Sequence, residues 1–417
     1  MPSTVNRESK TLVFISLICT YVVFAILLNS VGTVILQSIE SFGISKTQAS
    51  TLEGFKDLPI AIVSFLLASW LPRFGFKRAI IIGLTIVTIS SALMPIVGGF
   101  AMTKLLFLSV GVSFALVKVS VYSTIGLIAD TAKQHASKMN LLEGCFMVGV
   151  LSGYWIFSFF INPENPASTE WLNVYWLVVI LCGIALFSAF AADFPEPEIA
   201  PAESSFDSFK AMLSLVWLPF VVMFVCCAFF YVLIEQGLGT WLPTFNKDVL
   251  GLSNNISVQI TSIFAASLAV GRLSAGVILS KVDWFVFLVV CVVAMALLLL
   301  LTIPLTQQAA PTQPISSWSA IPFAAWILPL IGLFMAPIYP AINSVVLSAL
   351  PKAQHASMTG LIVIFSALGG TFGSLVTGTV FDKFDGQTAF YTMLVPMAIL
   401  LISLVLYRRA IPALARG

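Results

Sequence analysis

Long runs of apolar residues, separated by short polar segments, are the dominant pattern of this chain. Most runs have at least the ~20 residues that an α-helix needs to cross the hydrocarbon core of a bilayer. The pattern predicts an all-α polytopic membrane protein with twelve transmembrane helices in two halves of six. The predicted spans are residues 11–38, 49–72, 79–100, 105–129, 138–162, 171–193, 213–244, 256–281, 284–307, 318–349, 355–382 and 387–408.

Composition supports this interpretation. Of the 417 residues, 59% are hydrophobic and 9% are charged, against a usual charged share of about 25%. The mean hydropathy is +1.04, and a soluble fold could not bury so much apolar surface. The formal net charge is only +2, without a basic stripe that would neutralise phosphates, so nucleic acid is not expected as a partner.

The chain divides near its middle. A stretch rich in Pro, Ser and acidic residues is typical of a flexible linker. It predicts an N-terminal six-helix half (residues 1–193), a cytoplasmic linker (194–212) and a C-terminal six-helix half (213–417). His135 in "KQHAS" and His355 in "AQHAS" occupy equivalent loops of the two halves, which indicates a duplicated plan.

Basic residues predict the orientation. With both termini in the cytoplasm, thirteen lysines and arginines lie on the cytoplasmic side and five on the opposite side, as the positive-inside rule requires. Short loops and termini favour a plasma membrane location, specifically a bacterial inner membrane.

Two loops carry a related pattern of a small residue, a turn and a cation: "ASWLPRFGFKR" (68–78) and "GVILSKVDW" (276–284). The pattern resembles the loop signature of the major facilitator superfamily. Ala68 and Pro72 stand where that signature has glycine and aspartate. The candidate gating-loop residues that match it are Arg73, Gly75, Lys77 and Lys281.

Other segments resemble the fucose/glucose–proton symporter branch of that superfamily. The resemblance implies that the first, fourth, seventh and tenth helices line a central cavity. The segments that carry it are "MNLLEGCFMVGVLSG" (139–153), "FFYVLIEQGLGTWLPTF" (229–245), "GRLSAGVILSK" (271–281) and "GLFMAPIYPAINS" (332–344).

Ionisable residues inside the predicted spans are the first candidates for function, because each costs about 2.5–3.5 kcal/mol at bilayer depth. Lys118 in the fourth span and Glu235 in the seventh are cavity candidates from opposite halves. Tyr122 lies one helical turn from Lys118 on the same face. Alternatively, Lys118 pairs with a carboxylate and only holds helices together. Gln236 follows Glu235 in a glycine-rich stretch that suggests a broken helix.

Aromatic and amide residues complete the candidate site. Tyr154 and Trp155 lie mid-span, where they suit the apolar face of a sugar ring or pack against a neighbouring helix. Prolines that flank Tyr339 bend the tenth span. The predicted solute contacts are Lys118, Tyr122, Tyr154, Trp155, Glu235, Gln236, Tyr339 and Asn343. The candidates for proton coupling or ion pairing are Asp57, Glu143 and Arg272.

These features predict a secondary transporter that takes up a small polar, sugar-like solute by alternating access, with protons as the coupling ion. The alternatives are an importer of organic anions or sugar acids, which Lys118 would suit, and an exporter of amphipathic compounds. The phosphate-binding motif of ATP-driven proteins does not occur in the sequence. We expect no enzymatic activity, no metal or cofactor, and a monomer whose partners are the solute and the lipid bilayer.

Overall fold

The structure is a computed structural model, and it describes residues 7–67, 71–195, 210, 212–307, 313–351 and 354–411. Almost all of the predicted linker (194–212) lies outside the described residues, as does Ala68 of the loop signature.

The described part of the chain contains twelve long helical segments in the order that the apolar runs predict. They are numbered α1 to α12. Their bounds are Arg7–Asn29 continued by Val31–Phe42 (α1), Thr51–Leu67 (α2), Phe76–Val97 (α3), Gly99–Ile128 (α4), Ala132–Phe159 (α5), Val174–Ala191 (α6), Pro219–Gly239 (α7), Asn254–Ile278 (α8), Trp284–Thr302 (α9), Phe323–Ile327 through Ile338–Ser348 (α10), His355–Lys383 (α11) and Leu394–Ala410 (α12). Short helices lie near the ends of these segments at Lys46–Ala49, Leu71–Phe74, Leu242–Asp248 and Gly386–Thr392.

Eleven helices in the described ranges are long and apolar enough to cross a membrane. The remaining segment, α2, is described over 17 residues and up to Leu67. Within the described residues the chain forms no strand, only an isolated parallel bridge between Leu252 and Ile315. The all-α polytopic fold is therefore confirmed, and the twelve predicted spans agree approximately with the observed helices.

Two spans, α1 and α10, are interrupted along their length. The Ser30 hydroxyl donates to the carbonyl oxygen of Leu27 at 2.8 Å, where α1 breaks before its second segment. In α10, short 3₁₀ geometry begins at Leu328, and the last segment begins after Pro337. Proline removes a backbone donor and disturbs the preceding turn, so the chain can bend there.

The start of α1 at Arg7 and the end of α12 at Ala410 lie at the same face of the bundle, because the chain crosses it an even number of times between them. This is called the terminal face, and the opposite one is called the distal face. Odd-numbered helices run from the terminal to the distal face, and even-numbered helices run back.

Helix packing builds the two halves and then joins them. In the first half, α1 packs on α5 and α6, while α4 packs on α2 and α3. In the second half, α7 packs on α11 and α12, and α8 packs on α10. The main contacts across the halves are α2 with α11 and α5 with α8. Residues at these helix contacts can therefore touch both halves at once.

Candidate functional site

A cavity of about 120 Å³ lies between the two halves. Its wall comes from both segments of α1, from α2, α5 and α8, and from α7 and the residue that follows it. The lining residues are Leu28, Asn29, Val31, Gly32, Lys56, Phe146, Met147, Val150, Tyr154, Glu235, Gln236, Gly239, Thr240, Phe264, Ala265, Leu268 and Arg272. The wall is therefore apolar on α5 and much of α8 and polar on α7.

The end of α7 supplies three polar groups. Glu235 and Gln236 are half-buried on its last turn, and Thr240 follows its end. The Thr240 hydroxyl lies 3.1 Å from Gln236 Oε1, which fixes the amide against the wall. Gly237 allows this turn to pack closely, since a Cβ there would lie 2.9 Å from Thr377 Oγ1 of α11.

Opposite charges face each other across the cavity. Arg272 of α8 is exposed where it lines the cavity, and Glu235 lies within electrostatic reach of both Arg272 and Lys56. Among the described residues, neither Glu235 nor Arg272 has an ion-pair partner within 4 Å. Both side chains therefore remain available to a solute.

Three charged residues near the distal end of α2 form a buried group, named here the α2 ion cluster: Glu53, Lys56 and Asp57. The Lys56 ammonium bonds Glu53 Oε1 and lies 3.5 Å from Asp57 Oδ1. Glu53 is fully buried, and Lys56 is 5% exposed. The cluster reaches the second half through Thr240, whose hydroxyl lies 3.4 Å from Glu53 Oε2.

Glycines of α11 allow this helix to press directly on α2. A Cβ built on Gly370 would stand 2.4 Å from Asp57 Oδ2. On the adjacent turn, a Cβ on Gly54 of α2 would meet the Thr371 methyl at 3.0 Å. A larger residue at Gly370 would force the two helices apart.

Polar contacts across the halves close the distal side of the cavity. Together they are called the distal interface. It comprises Lys46–Asp248 (3.0 Å), Lys247–Glu40 (2.6 Å), Thr47–Asp382 (2.8 Å), Gln259–Ser158 (3.2 Å) and the Trp155–Trp318 ring stack.

The terminal face is different. Its ion pairs in the described ranges, Lys10–Asp130 and Arg408–Asp283, each join helices of the same half. Arg272, on the terminal side of the cavity, is exposed. Among the described residues, the polar contacts across the halves therefore lie on the distal side of the cavity, and the exposed Arg272 lines its terminal side.

The structure brings four of the predicted site residues to the cavity wall: Tyr154, Glu235, Gln236 and Arg272. Asp57 lies beside them in the α2 ion cluster. The resemblance implied a lining by the first, fourth, seventh and tenth helices, but no residue of α4 or α10 is among those that line this cavity. In this cavity α5 and α8, which meet across the halves, supply wall residues beside α1, α2 and α7.

Lys118, Tyr122 and Glu143 form a separate group on the terminal side of the first half. The Tyr122 hydroxyl donates to Glu143 Oε1 at 2.6 Å, and the half-buried Lys118 ammonium lies 5.8 Å from the centre of the Phe114 ring. Lys118 does not line the cavity, since α4 packs against α2 and α3.

Three further predicted contacts also lie outside the cavity wall. Trp155 stacks on Trp318 with ring centres 5.8 Å apart and planes 4° from parallel. Tyr339 stacks on Tyr231, and its hydroxyl lies 2.8 Å from Ser366 Oγ. Asn343 is on the same helix as Tyr339, one turn nearer to the terminal face.

The predicted gating-loop residues lie at the terminal face. Gly75 has φ +96° where α3 begins, a conformation that favours glycine. Lys77 donates to the carbonyl oxygen of Ala192 at 2.7 Å, beyond the end of α6. Arg73 and Lys281 are exposed. Lys77 therefore ties helices of the first half together.

Several wall residues escaped the sequence predictions. Asn29 is an amide within an apolar run, and its side chain donates to the Ala25 carbonyl oxygen at 2.9 Å. Lys56 lies in the charged stretch "TLEGFKD" (51–57), whose spacing allows a bridge to Glu53, and this bridge is present in the structure. Thr240 gave no sequence signal.

Comparison with known proteins identifies the family. The sequence model of the Major Facilitator Superfamily matches residues 13–328. The chain belongs to the Major Facilitator Superfamily. It is therefore a multi-pass membrane transporter by family and fold, and this confirms the resemblance drawn from the loops and helices.

Named relatives add detail about what this chain is similar to. A glucose/galactose transporter of Brucella abortus biovar 1 (strain 9-941) is 25% identical over 341 residues, which cover 79% of this chain and 78% of that protein. A bacterial homologue of the human lysosomal transporter Spinster, solved inward-facing and occupied, has a TM-score of 0.73 at 16% identity, with 97% of each chain covered. The E. coli fucose–proton symporter FucP has a TM-score of 0.61 at 16% identity, with 96% of this chain and 99% of that chain covered. Both solved structures share their fold with this chain.

Proposed function

We propose that this protein takes up a small neutral polyhydroxylated solute, of the size and chemistry of a sugar, together with protons. The observation that carries the proposal is the cavity between the halves, where one polar wall with Glu235 and Gln236 faces an apolar wall. A carboxylate accepts hydrogen bonds from hydroxyls, and an amide both donates and accepts them. Aromatic faces suit the apolar face of a sugar ring.

Cavity size fits this solute class. A water molecule needs about 10–15 Å³ of such volume, so the cavity of about 120 Å³ holds roughly ten waters. That number is comparable to the heavy atoms of a hexose. The glucose/galactose transporter of Brucella abortus, by its name, moves solutes of this class.

The distal interface supports transport by alternating access. Its contacts join described residues of the two halves on the distal side of the cavity, so breaking them and closing the terminal face would expose the cavity to the other side. With the terminal face on the cytoplasmic side of a bacterial inner membrane, the described conformation faces inward. We propose a single chain as the working unit, because the cavity is built from one copy.

A sugar acid or another small carboxylate is the second candidate solute. Arg272 favours it, since a guanidinium without an ion-pair partner in the described residues can bind a carboxylate in a bidentate way. Glu235 opposes it, because that carboxylate lies within electrostatic reach of the same position.

The test uses purified protein in liposomes with a pH dye trapped inside. Glucose, galactose, fucose, sugar acids and small carboxylates are added outside one at a time. We expect proton influx with a neutral sugar, at least tenfold slower in Glu235→Gln. Glu164→Gln, an exposed carboxylate in the loop after α5, is the matched control and should leave the influx unchanged.

Influx triggered only by anions and lost in Arg272→Gln would move the assignment to the carboxylate. Absence of influx with every neutral sugar and every anion would contradict proton-coupled uptake of either solute class.

A further inference from the structure

The charged groups around the cavity do not balance. Among the described residues, three carboxylates, Glu53, Asp57 and Glu235, face two cations, Lys56 and Arg272. An uncompensated charge in a water-poor interior is costly, and it is normally paired or neutralised. When the distal interface is closed, one of the three carboxylates is therefore the favoured place for a proton.

Glu53 is the least suited of the three. It is fully buried, Lys56 bonds one of its oxygens, and the Thr240 hydroxyl lies 3.4 Å from the other. Both of its oxygens therefore already lie next to a polar group. Glu235 instead faces the open cavity and Arg272, where a solute would compete for it.

Asp57 has a different environment. Its side chain is 13% exposed, and Oδ1 is only loosely paired, 3.5 Å from the Lys56 ammonium. Oδ2 faces the backbone of α11 at Gly370, and none of the described residues donates a hydrogen bond to this oxygen. The other titratable groups near Asp57 and its cluster are Glu53, Glu235 and Tyr154, so the nearby carboxylates add negative charge.

Asp57 is the carboxylate of the α2 ion cluster that lies against the backbone of α11 in the opposite half. Gln236 approaches the same point of α11, since a Cβ on Gly370 would lie 3.2 Å from Gln236 Cγ and 2.4 Å from Asp57 Oδ2. Gln236, which lines the cavity, and the Asp57 carboxylate therefore both lie next to Gly370. Separation of α2 from α11 would expose Asp57 to water at the distal face.

We infer that Asp57 binds the coupling proton: it takes the proton from the distal side when the distal interface is open, and its neutral form allows α11 to close over it. The step is the addition of one proton to Asp57 Oδ2, and release follows into the cavity, which Lys56 lines. The inference rests on the proposed function, because it assigns the coupling ion of that transport cycle to one side chain.

The experiment measures closure of the distal interface directly, so it does not depend on the identity of the solute. Spin labels are placed at two exposed distal positions, Glu164→Cys in the first half and Ser316→Cys in the second, with the six native cysteines replaced by alanine. The distance distribution is recorded in liposomes between pH 5 and pH 9, a range chosen to span about two pH units on either side of neutrality.

In the otherwise unchanged protein, we expect the short-distance, closed population to rise as the pH falls. Asp57→Asn, which mimics the neutral side chain, should be closed across the whole range without pH dependence. Lys56→Met removes the cation that favours charged Asp57, so the midpoint of closure should move up by about 1–3 pH units. Asp193→Asn, an exposed carboxylate after the end of α6, should keep the original midpoint.

Retention of the original pH dependence by Asp57→Asn, or an unchanged midpoint in Lys56→Met, would overturn the inference. A pH-independent distribution in the parent protein would do the same. If closure follows Asp57 as expected but no sugar or anion drives proton influx, the proposed function fails while the proton site stands.

Discussion

Gly370→Ala should shift the protein away from the distally closed conformation. The added Cβ would stand 2.4 Å from Asp57 Oδ2, a distance at which an atom must move. The carboxylate cannot retreat freely, because Lys56 lies on one side of it and Gly54 of α2 is already pressed on Thr371. The clash exists only while α2 and α11 are in contact.

The magnitude follows from the cost of overpacking, which is about 1–3 kcal/mol for an extra carbon in a tightly packed site. Applied to the closed conformation alone, that cost lowers the ratio of closed to open molecules by about 5- to 150-fold. In the open conformation the remaining neighbour atoms belong to Gln236 (3.2 Å) and Val232 (3.5 Å) of the same half, which are flexible or at ordinary contact distance.

The assay is the distance distribution between spin labels at positions 164 and 316, in the cysteine-free background. At a low pH, where the parent protein is mainly closed, Gly370→Ala should increase the long-distance population. Gly276→Ala is the matched control, because a Cβ there would meet no atom within 4 Å. Identical distributions for Gly370→Ala and the parent, with both proteins folded, would refute the steric argument.

Three further variants test other parts of the structure. Lys118→Met should leave the solute affinity in a binding assay within about twofold, because this side chain does not line the cavity; a tenfold loss would contradict this placement. Trp155→Ala removes the ring stack on Trp318, worth about 0.5–1.5 kcal/mol, and should increase the open population in the spin-label assay; an unchanged population would show that the stack does not hold the distal face. Lys77→Ala should lower the thermal midpoint of unfolding, because its bond to the Ala192 carbonyl oxygen joins α3 to the end of α6; an unchanged midpoint would contradict that role.

The helix pattern could be predicted from sequence because each span must by itself be long and apolar enough to cross the bilayer. Length and apolarity therefore placed the twelve long helical segments approximately. The break at Ser30 could not be predicted, since one serine in an apolar run has no distinctive pattern. It is set by the Ser30–Leu27 bond and by packing of the second segment of α1.

The candidate site was harder to predict, because hydropathy does not report how a helix is rotated. Glu235 and Gln236, which the sequence singled out as a carboxylate and an amide in a glycine-rich span, line the cavity between the halves. Lys118 was placed in the cavity by analogy with related helices, yet α4 packs on α2 and α3. Trp155 meets a tryptophan more than 160 positions away in sequence, and this pairing is visible only in the fold.

The most direct test of the account follows solute and protons in the same vesicles. A sugar that triggers proton influx in the solute panel is radiolabelled. Its uptake is measured together with the internal pH, which the trapped dye reports. The account predicts that sugar and protons enter with the same time course, and that Glu235→Gln abolishes both. Sugar entry without any proton movement would contradict proton-coupled uptake through this cavity.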